Sequence, residues 1–294
     1  MRNFSETTIT DAVLARLADA PSPRVKAVSE ALVRHLHAFV REVRPTQAEW
    51  AEGISFLTRT GQMCTGTRQE FILLSDTLGV SMLVDAINHP ASSDATETTV
   101  LGPFYVEGPP EQALGHDISS NKPGEKLLVE GMVRRHDGTP LAGAWVDTWH
   151  SDADGFYDVQ LGGEAPALNM RARFRTDPEG RFWFRTVVPS CYPVPDDGPV
   201  GAMLETQGRH PYRPAHVHFM VGAPGCETLV THVFLAGDRY LDSDVVFGVK
   251  DSLVRPLQRR EPGTTPGGHS SEEPYALLQY DFALATDAGG PGPA

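Results

Sequence analysis

Arg213-Pro214-Ala215-His216-Val217-His218-Phe219 is the stretch on which the reading of this chain turns. Read as a strand, it alternates. Successive side chains of an extended backbone point to opposite faces, so His216 and His218 share one face, about 7 Å apart along the chain. Val217 points the other way, toward a core. Two imidazoles on one face can hold one metal ion. Arg213, three residues before His216, offers a guanidinium that could stabilise an anion beside that metal. A His-x-His pair also occurs in strands by chance, so its meaning depends on the rest of the chain.

Outward from this stretch, the C-terminal two thirds read as short strands. Leu127 to Arg135, Ala144 to His150, Arg171 to Arg175, Arg181 to Val188, Ala215 to Val221 and Thr228 to Leu235 alternate with period two. The pairs Asp137-Gly138, Asp154-Gly155, Glu179-Gly180 and Pro224-Gly225 punctuate them as turns. Tyr275 to Leu284 adds a last strand, and the loops 189–214 and 255–274 are long. Many short strands between turns predict an antiparallel sandwich with its site built on the loops.

Before Leu101-Gly102-Pro103-Phe104 the texture is helical. Thr10 or Asp11 would cap a first helix. Ser22-Pro23 starts a second, with Val25, Val28, Leu32, Leu36, Phe39 and Val43 spaced by three and four. Pro45 stops it, and Thr46 to Glu49 forms a capping box for a third. Arg68 to Leu78 and Ser81 to Asn88 give two more. The fold class is therefore α+β: a helical domain over 1–99, then an antiparallel β-sandwich over 100–294, with a Gly/Pro-rich tail from 286 expected to fray.

Composition narrows the function. The chain has 294 residues, 40% of them hydrophobic and 21% charged, so it can bury a sizeable core. A net charge of −13 argues against nucleic acid or an anionic membrane as partner. Cys64, Cys191 and Cys226 are odd in number and lack a CxxC spacing, which disfavours a disulfide framework or a zinc-thiolate site. With no apolar N-terminal run and no stretch of membrane-spanning length, the expected location is the cytoplasm, without membrane insertion.

Two tyrosines stand out by context. Tyr157 follows the turn Asp154-Gly155, and Tyr192 lies in Tyr192-Pro193-Val194-Pro195. A lone Tyr near a strand end is ordinarily half-buried packing. A phenol with a pKa near 10 ionises at neutral pH only beside a strong cation, and iron(III) is such a cation. Two phenolates and two neutral imidazoles would leave it one net positive charge.

Five segments in order carry a resemblance: Asp147-Thr148-Trp149-His150, Asp154 to Tyr157, Asp177-Pro178-Glu179-Gly180, Tyr192 to Pro195, and Arg213 to His218. Together they resemble the intradiol ring-cleavage dioxygenases over nearly the whole chain. The helical first third is similar to the catechol 1,2-dioxygenase branch. The resemblance implies one non-haem Fe(3+) per subunit, held by Tyr157, Tyr192, His216 and His218, with a small aromatic diol or triol and O2 as substrates. Arg213 would steady negative charge on the ring. Tyr192 would take a substrate proton. Oxygen would enter between the two hydroxyl-bearing carbons to give a diacid. The resemblance also implies a homodimer through the N-terminal helices, where known members hold a lipid.

Thr231 to Phe234, with Tyr240 to Asp244 and Phe247 to Lys250, looks most like the hydroxyquinol 1,2-dioxygenases; catechol enzymes commonly carry Gln where His232 stands. His232 is not counted as a ligand, since the set is complete. Hydroxyquinol is benzene-1,2,4-triol, so its pocket should offer a polar partner for the third hydroxyl. Asp76 is the candidate, with Leu73 and Val194 as apolar walls. Val100, Leu101, Gly102, Pro103 and Phe104, with Pro195, would close the pocket. Catechol or a chlorocatechol is the nearest rival substrate. A non-catalytic sandwich that binds iron or a phenol is a rival of another class.

Overall fold

The computed structural model describes residues 3–66, 68–90, 94–120, 122–160, 168–265 and 267–287. By compactness the chain divides into 1–59 and 60–294, whereas the change of sequence texture lies near residue 100.

The first unit contains α1 (Ile9–Ala15), α2 (Pro23–Val43) and the start of α3 (Gln47–Gln62). The helix starts follow local chemistry. Ser22 Oγ accepts from the Val25 N–H at 3.1 Å, and Pro23 sits at the first helical position. Arg44, at φ 47°, ends α2 before Pro45. Thr46 and Glu49 cap each other: the Thr46 N–H donates to Glu49 Oε2 at 2.7 Å and the Glu49 N–H to Thr46 Oγ1 at 3.2 Å. One expectation fails. Thr8, not Thr10 or Asp11, is the N-cap of α1, and it makes no side-chain cap bond. The side chain of Thr10 instead lies 3.0 Å from His37 Nδ1 on α2.

The second unit opens with α4 (Glu70–Thr77) and α5 (Val80–Asn88). Its strands are β1 (Lys126–Arg135), β2 (Trp145–Trp149), β3 (Arg171–Arg175), β4 (Arg181–Val187), β5 (Tyr192–Pro193), β6 (Tyr212–Arg213), β7 (His216–Gly222) and β8 (Leu229–Leu235). They continue as β9 (Val254–Arg255), β10 (Gln258–Arg260), β11 (Gly263–Thr264), β12 (Ser270–Ser271), β13 (Tyr275–Gln279) and β14 (Phe282–Leu284). One five-stranded sheet runs β3-β2-β7-β8-β9. The other runs β10-β13-β1-β14, with β4 also on β1. Phe182 and Phe184 of β4 meet Phe219 of β7 in the core between them.

The fold is α+β, with the sheets stacked as a sandwich. Most ladders are antiparallel, but β1 pairs with β13 and β14, and β8 with β9, in parallel. Alternation reports which face is buried and says nothing of strand direction, so these ladders left no trace in the pattern. The last expected strand is two, separated at Tyr280-Asp281. The loop 189–214 contains a further helix, α6 (Pro199–Thr206). Of the tail, Thr286 bridges to Cys226, and 288–294 lie outside the described residues. No helix among the described residues is long and apolar enough to cross a membrane.

Candidate active site

Both faces of β7 are buried. Val217, Phe219 and Val221 enter the sandwich core, which turns His216 and His218 to the opposite side, as the alternation predicts. There the two Nε2 atoms lie 3.1 Å apart. Pro214 fixes one tautomer. Its carbonyl oxygen is 2.7 Å from His216 Nδ1, so Nδ1 carries the proton and Nε2 presents a lone pair. The ring of Trp149, directly across from His218 on β2, stacks on that imidazole at 4.6 Å.

Tyr157 arrives from a turn. The Asp152 carboxylate accepts from the Asp154 and Phe156 N–H groups at 3.1 and 3.0 Å, and Gly155 takes φ +91°. A side chain at Gly155 would press on Tyr192 Cβ at 3.1 Å, so glycine lets the two tyrosine segments touch. Tyr157 Oη then lies 3.1 Å from His218 Nε2 and 3.5 Å from His216 Nε2, and it donates to Tyr192 Oη at 3.4 Å. Tyr192 comes in on β5, opposite Arg213 on β6. The two-residue ladder thus sets a tyrosine beside the arginine.

Arg213 is buried, with Nη1 3.4 Å from His216 Nε2 and Nη2 3.4 Å from His232 Nδ1. Asp244 holds it, accepting from Nε at 3.1 Å and Nη2 at 3.3 Å. Asp244 is itself fixed by the Gly248 N–H at 2.9 Å. It was visible in the sequence only as one acid among several after Tyr240. What chose it is the fold of the 244–248 turn.

Electrostatics follow from burial. Desolvation drives His216, His218 and His232 well below the usual imidazole range, and the Arg213 charge adds to this at each. Burial raises both phenols, with Arg213 pulling the other way. Burial alone would lower the Arg213 pKa, but the Asp244 carboxylate and the two phenol oxygens raise it overall. Asp76 is buried on α4 and raised by desolvation, while Ser81 and Arg213 lower it and Asp244 raises it.

Two neutral imidazoles and two phenol oxygens thus converge on one point with a cation on one side. His216, His218 and His232 also form a group able to hold a metal ion. His232 Nδ1, however, faces Arg213. His218 Nδ1 has no hydrogen-bond partner among the described residues.

The other expected residues distribute around this centre. Leu73, Pro103, Phe104, Val194 and Pro195 line one cavity of about 390 Å³. The Phe104 ring stacks on Tyr157 at 4.4 Å. Gly102, at φ +77°, brings backbone against His218, where a Cβ would meet Cε1 at 3.2 Å. Val100, Leu101, Gly102 and Asp76 do not line that cavity. Val100 is buried, while Leu101 is 39% exposed. The cysteines are free, and Cys191 packs its carbonyl against Gly155.

Sandwich, helices and a buried Tyr/His/Arg cluster define a recognisable class. Residues 100–286 match the family described as dioxygenase, and residues 22–96 match the catechol dioxygenase N terminus. The chain belongs to the intradiol ring-cleavage dioxygenases. It is 55% identical to the 6-chlorohydroxyquinol 1,2-dioxygenase of Cupriavidus pinatubonensis, over 97% of this chain and 99% of that one. It is 51% identical to the hydroxyquinol 1,2-dioxygenase of a Rhizobium species, over 96% of each. The crystal structure of hydroxyquinol 1,2-dioxygenase from Pseudomonas putida DLL-E4 superposes with a TM-score of 0.90 at 49% identity, covering 96% of this chain and 99% of that chain.

Proposed function

We propose that this dioxygenase acts on hydroxyquinol, opening its ring between the two adjacent hydroxyl-bearing carbons to give 3-hydroxy-cis,cis-muconate or its tautomer maleylacetate. The ring-cleaving chemistry rests on the convergence of Tyr157, Tyr192, His216 and His218 on one point beside Arg213, and hydroxyquinol as the ring rests on the 51–55% identity to the hydroxyquinol-type relatives. The donor set fits one iron(III) per subunit: burial keeps the imidazoles neutral, and only a strong cation would ionise phenols whose pKa burial has raised. Bound there, iron(III) would supply Lewis acidity toward the two adjacent ring oxygens and ready the ring for dioxygen.

The chain's own groups supply the rest. Tyr192 Oη, as phenolate, accepts a proton from a ring hydroxyl. Arg213, fixed by Asp244, carries a buried positive charge that stabilises the substrate anion. Leu73, Val194, Phe104 and Pro195 give the ring apolar walls. Asp76, outside the cavity they line but buried one turn beyond Leu73 on α4 and within electrostatic reach of Arg213, is read as the acceptor for the third hydroxyl, the feature that separates a triol from catechol. Rejecting an analogue that lacks such a hydroxyl rests on leaving a buried polar group unpaired.

The protein is further read as a cytoplasmic homodimer. On α2, Val25, Val28, Leu32, Leu36, Phe39 and Val43 are each 48–59% exposed. A second copy would cover this stripe.

Oxygen uptake by iron-loaded protein tests the substrate. Hydroxyquinol, catechol and 4-chlorocatechol are compared at equal concentration. Fastest uptake on hydroxyquinol, with one O2 per ring, is expected. Faster uptake on catechol or 4-chlorocatechol would overturn hydroxyquinol as substrate and keep the metal centre.

A further inference from the structure

The placement of Asp76 depends on how its helix ends. α4 stops at Thr77, and the carbonyls of its last turn lack partners within the helix. Arg209, beyond the end of α6, donates from Nη1 to the Thr77 carbonyl at 2.7 Å. Its Nη2 donates to the Val245 carbonyl at 3.0 Å. One guanidinium therefore ties the backbone next to Asp76 to the backbone next to Asp244.

A third contact supports the tie. The Arg209 guanidinium lies over the Phe247 ring, 5.2 Å from its centre. Phe247 takes φ +60°, a conformation strained for a bulky side chain. Its ring also packs at Gly79, between α4 and α5, where a Cβ would meet Cδ2 at 3.5 Å. The strained turn brings the Val246 and Gly248 N–H groups to the Asp244 carboxylate, at 3.4 and 2.9 Å. Asp244 contacts Arg213 directly, and Arg213 and Asp244 both act on Asp76.

We propose that Arg209, seated on Phe247, is a positioning residue that fixes Asp76 and Asp244 relative to one another around Arg213, and so sets the preference for a ring bearing the third hydroxyl over plain catechol. This rests on the reading of Asp76 given above. The planar fork matters, because a lysine is a point donor and reaches one carbonyl at a time. A merely structural cap would lower activity on every substrate alike.

The test is a double-mutant cycle on the iron-loaded enzyme, using Arg209→Met, Asp76→Ala and the pair. kcat and KM are measured for hydroxyquinol and catechol. Arg209→Met lowers the hydroxyquinol-over-catechol ratio of kcat/KM by about tenfold, through a raised hydroxyquinol KM, while catechol kcat/KM falls by a clearly smaller factor through the Asp244–Arg213 pair. Arg209→Lys recovers part of the ratio. In the Asp76→Ala background, Arg209→Met leaves the ratio where it is, because both changes act through one group.

An equal fall on both substrates, or a further fall of the ratio in the Asp76→Ala background, overturns the proposal. A ratio lost in Asp76→Ala but kept in Arg209→Met overturns the clamp alone. A ratio kept in Asp76→Ala overturns the reading of Asp76 and the clamp with it. Should Arg209→Met unfold at assay temperature, Arg209→Lys carries the same comparison: a ratio equal to wild type overturns the proposal.

Discussion

His150 belongs to one of the motifs that mark this family, yet its work is structural. Its Nδ1 lies 2.7 Å from the Ser151 carbonyl oxygen and its Nε2 2.8 Å from Thr186 Oγ1. Burial pushes its pKa down to about 4, against the pull of the Ser151 carbonyl and Asp152. The unfolded chain binds this proton near the ordinary imidazole value, so between those pH values the unfolded state holds more protons and stability rises with pH. The contribution is complete above about pH 6.5 and is lost as pH falls toward about 4, roughly 3 kcal/mol in all. Urea unfolding at about pH 7 and about pH 5 checks this. His150→Asn begins less stable and loses less between the two. Equal losses in both proteins would place the pH dependence elsewhere. At this scale the sequence supplied residue types: the four ligand candidates and Arg213 were nameable through the resemblance of their segments to the family's motifs. Asp244 was not, because its selection depends on two N–H groups from a turn that only the folded chain forms.

Elements were legible where signals were local. Ser22-Pro23 and the Thr46–Glu49 box announce helix starts because a cap and its N–H partner lie within three residues. α6 escaped notice inside a Pro/Gly-rich loop, although Gly198-Pro199 opens it. Its entry is secured at long range, by the Val200 N–H donating to Glu70 Oε1 at 3.2 Å. Another long-range tie positions Tyr157. Arg171 of β3 donates from Nε to Asp158 at 2.6 Å and from Nη1 to the Phe104 carbonyl at 3.0 Å. Both charges are buried, so Arg171→Leu strands a carboxylate and costs about 3–5 kcal/mol. The variant should also retain less iron after dialysis, since Tyr157 and Phe104 both lose their anchor. Thermal unfolding and metal content together check this. Wild-type iron retention at lowered stability would limit the pair to a structural role.

For the whole molecule, the exposed stripe of α2 is one apolar surface that a single chain leaves uncovered. Leu36, 52% exposed, lies at its centre. On the proposed dimer, Leu36→Glu should give monomers in sedimentation velocity and leave the Tyr/His cluster intact, because a charge is costly only where the surface is covered. An unchanged sedimentation coefficient would remove the stripe from the interface.

By itself, the sequence determined what local physics can write: the caps of α2 and α3, the two-residue period that puts His216 and His218 on one face, the change of texture near residue 100, and a family pattern of donors. The tertiary structure alone decided which strands run parallel, that Asp244 is the partner of Arg213, and that Arg209 joins the turn bearing Asp244 to the helix bearing Asp76. Those relations span tens to more than a hundred residues. Nothing in the pattern around one residue encodes which distant backbone group it will meet, because that meeting is set by closure of the core.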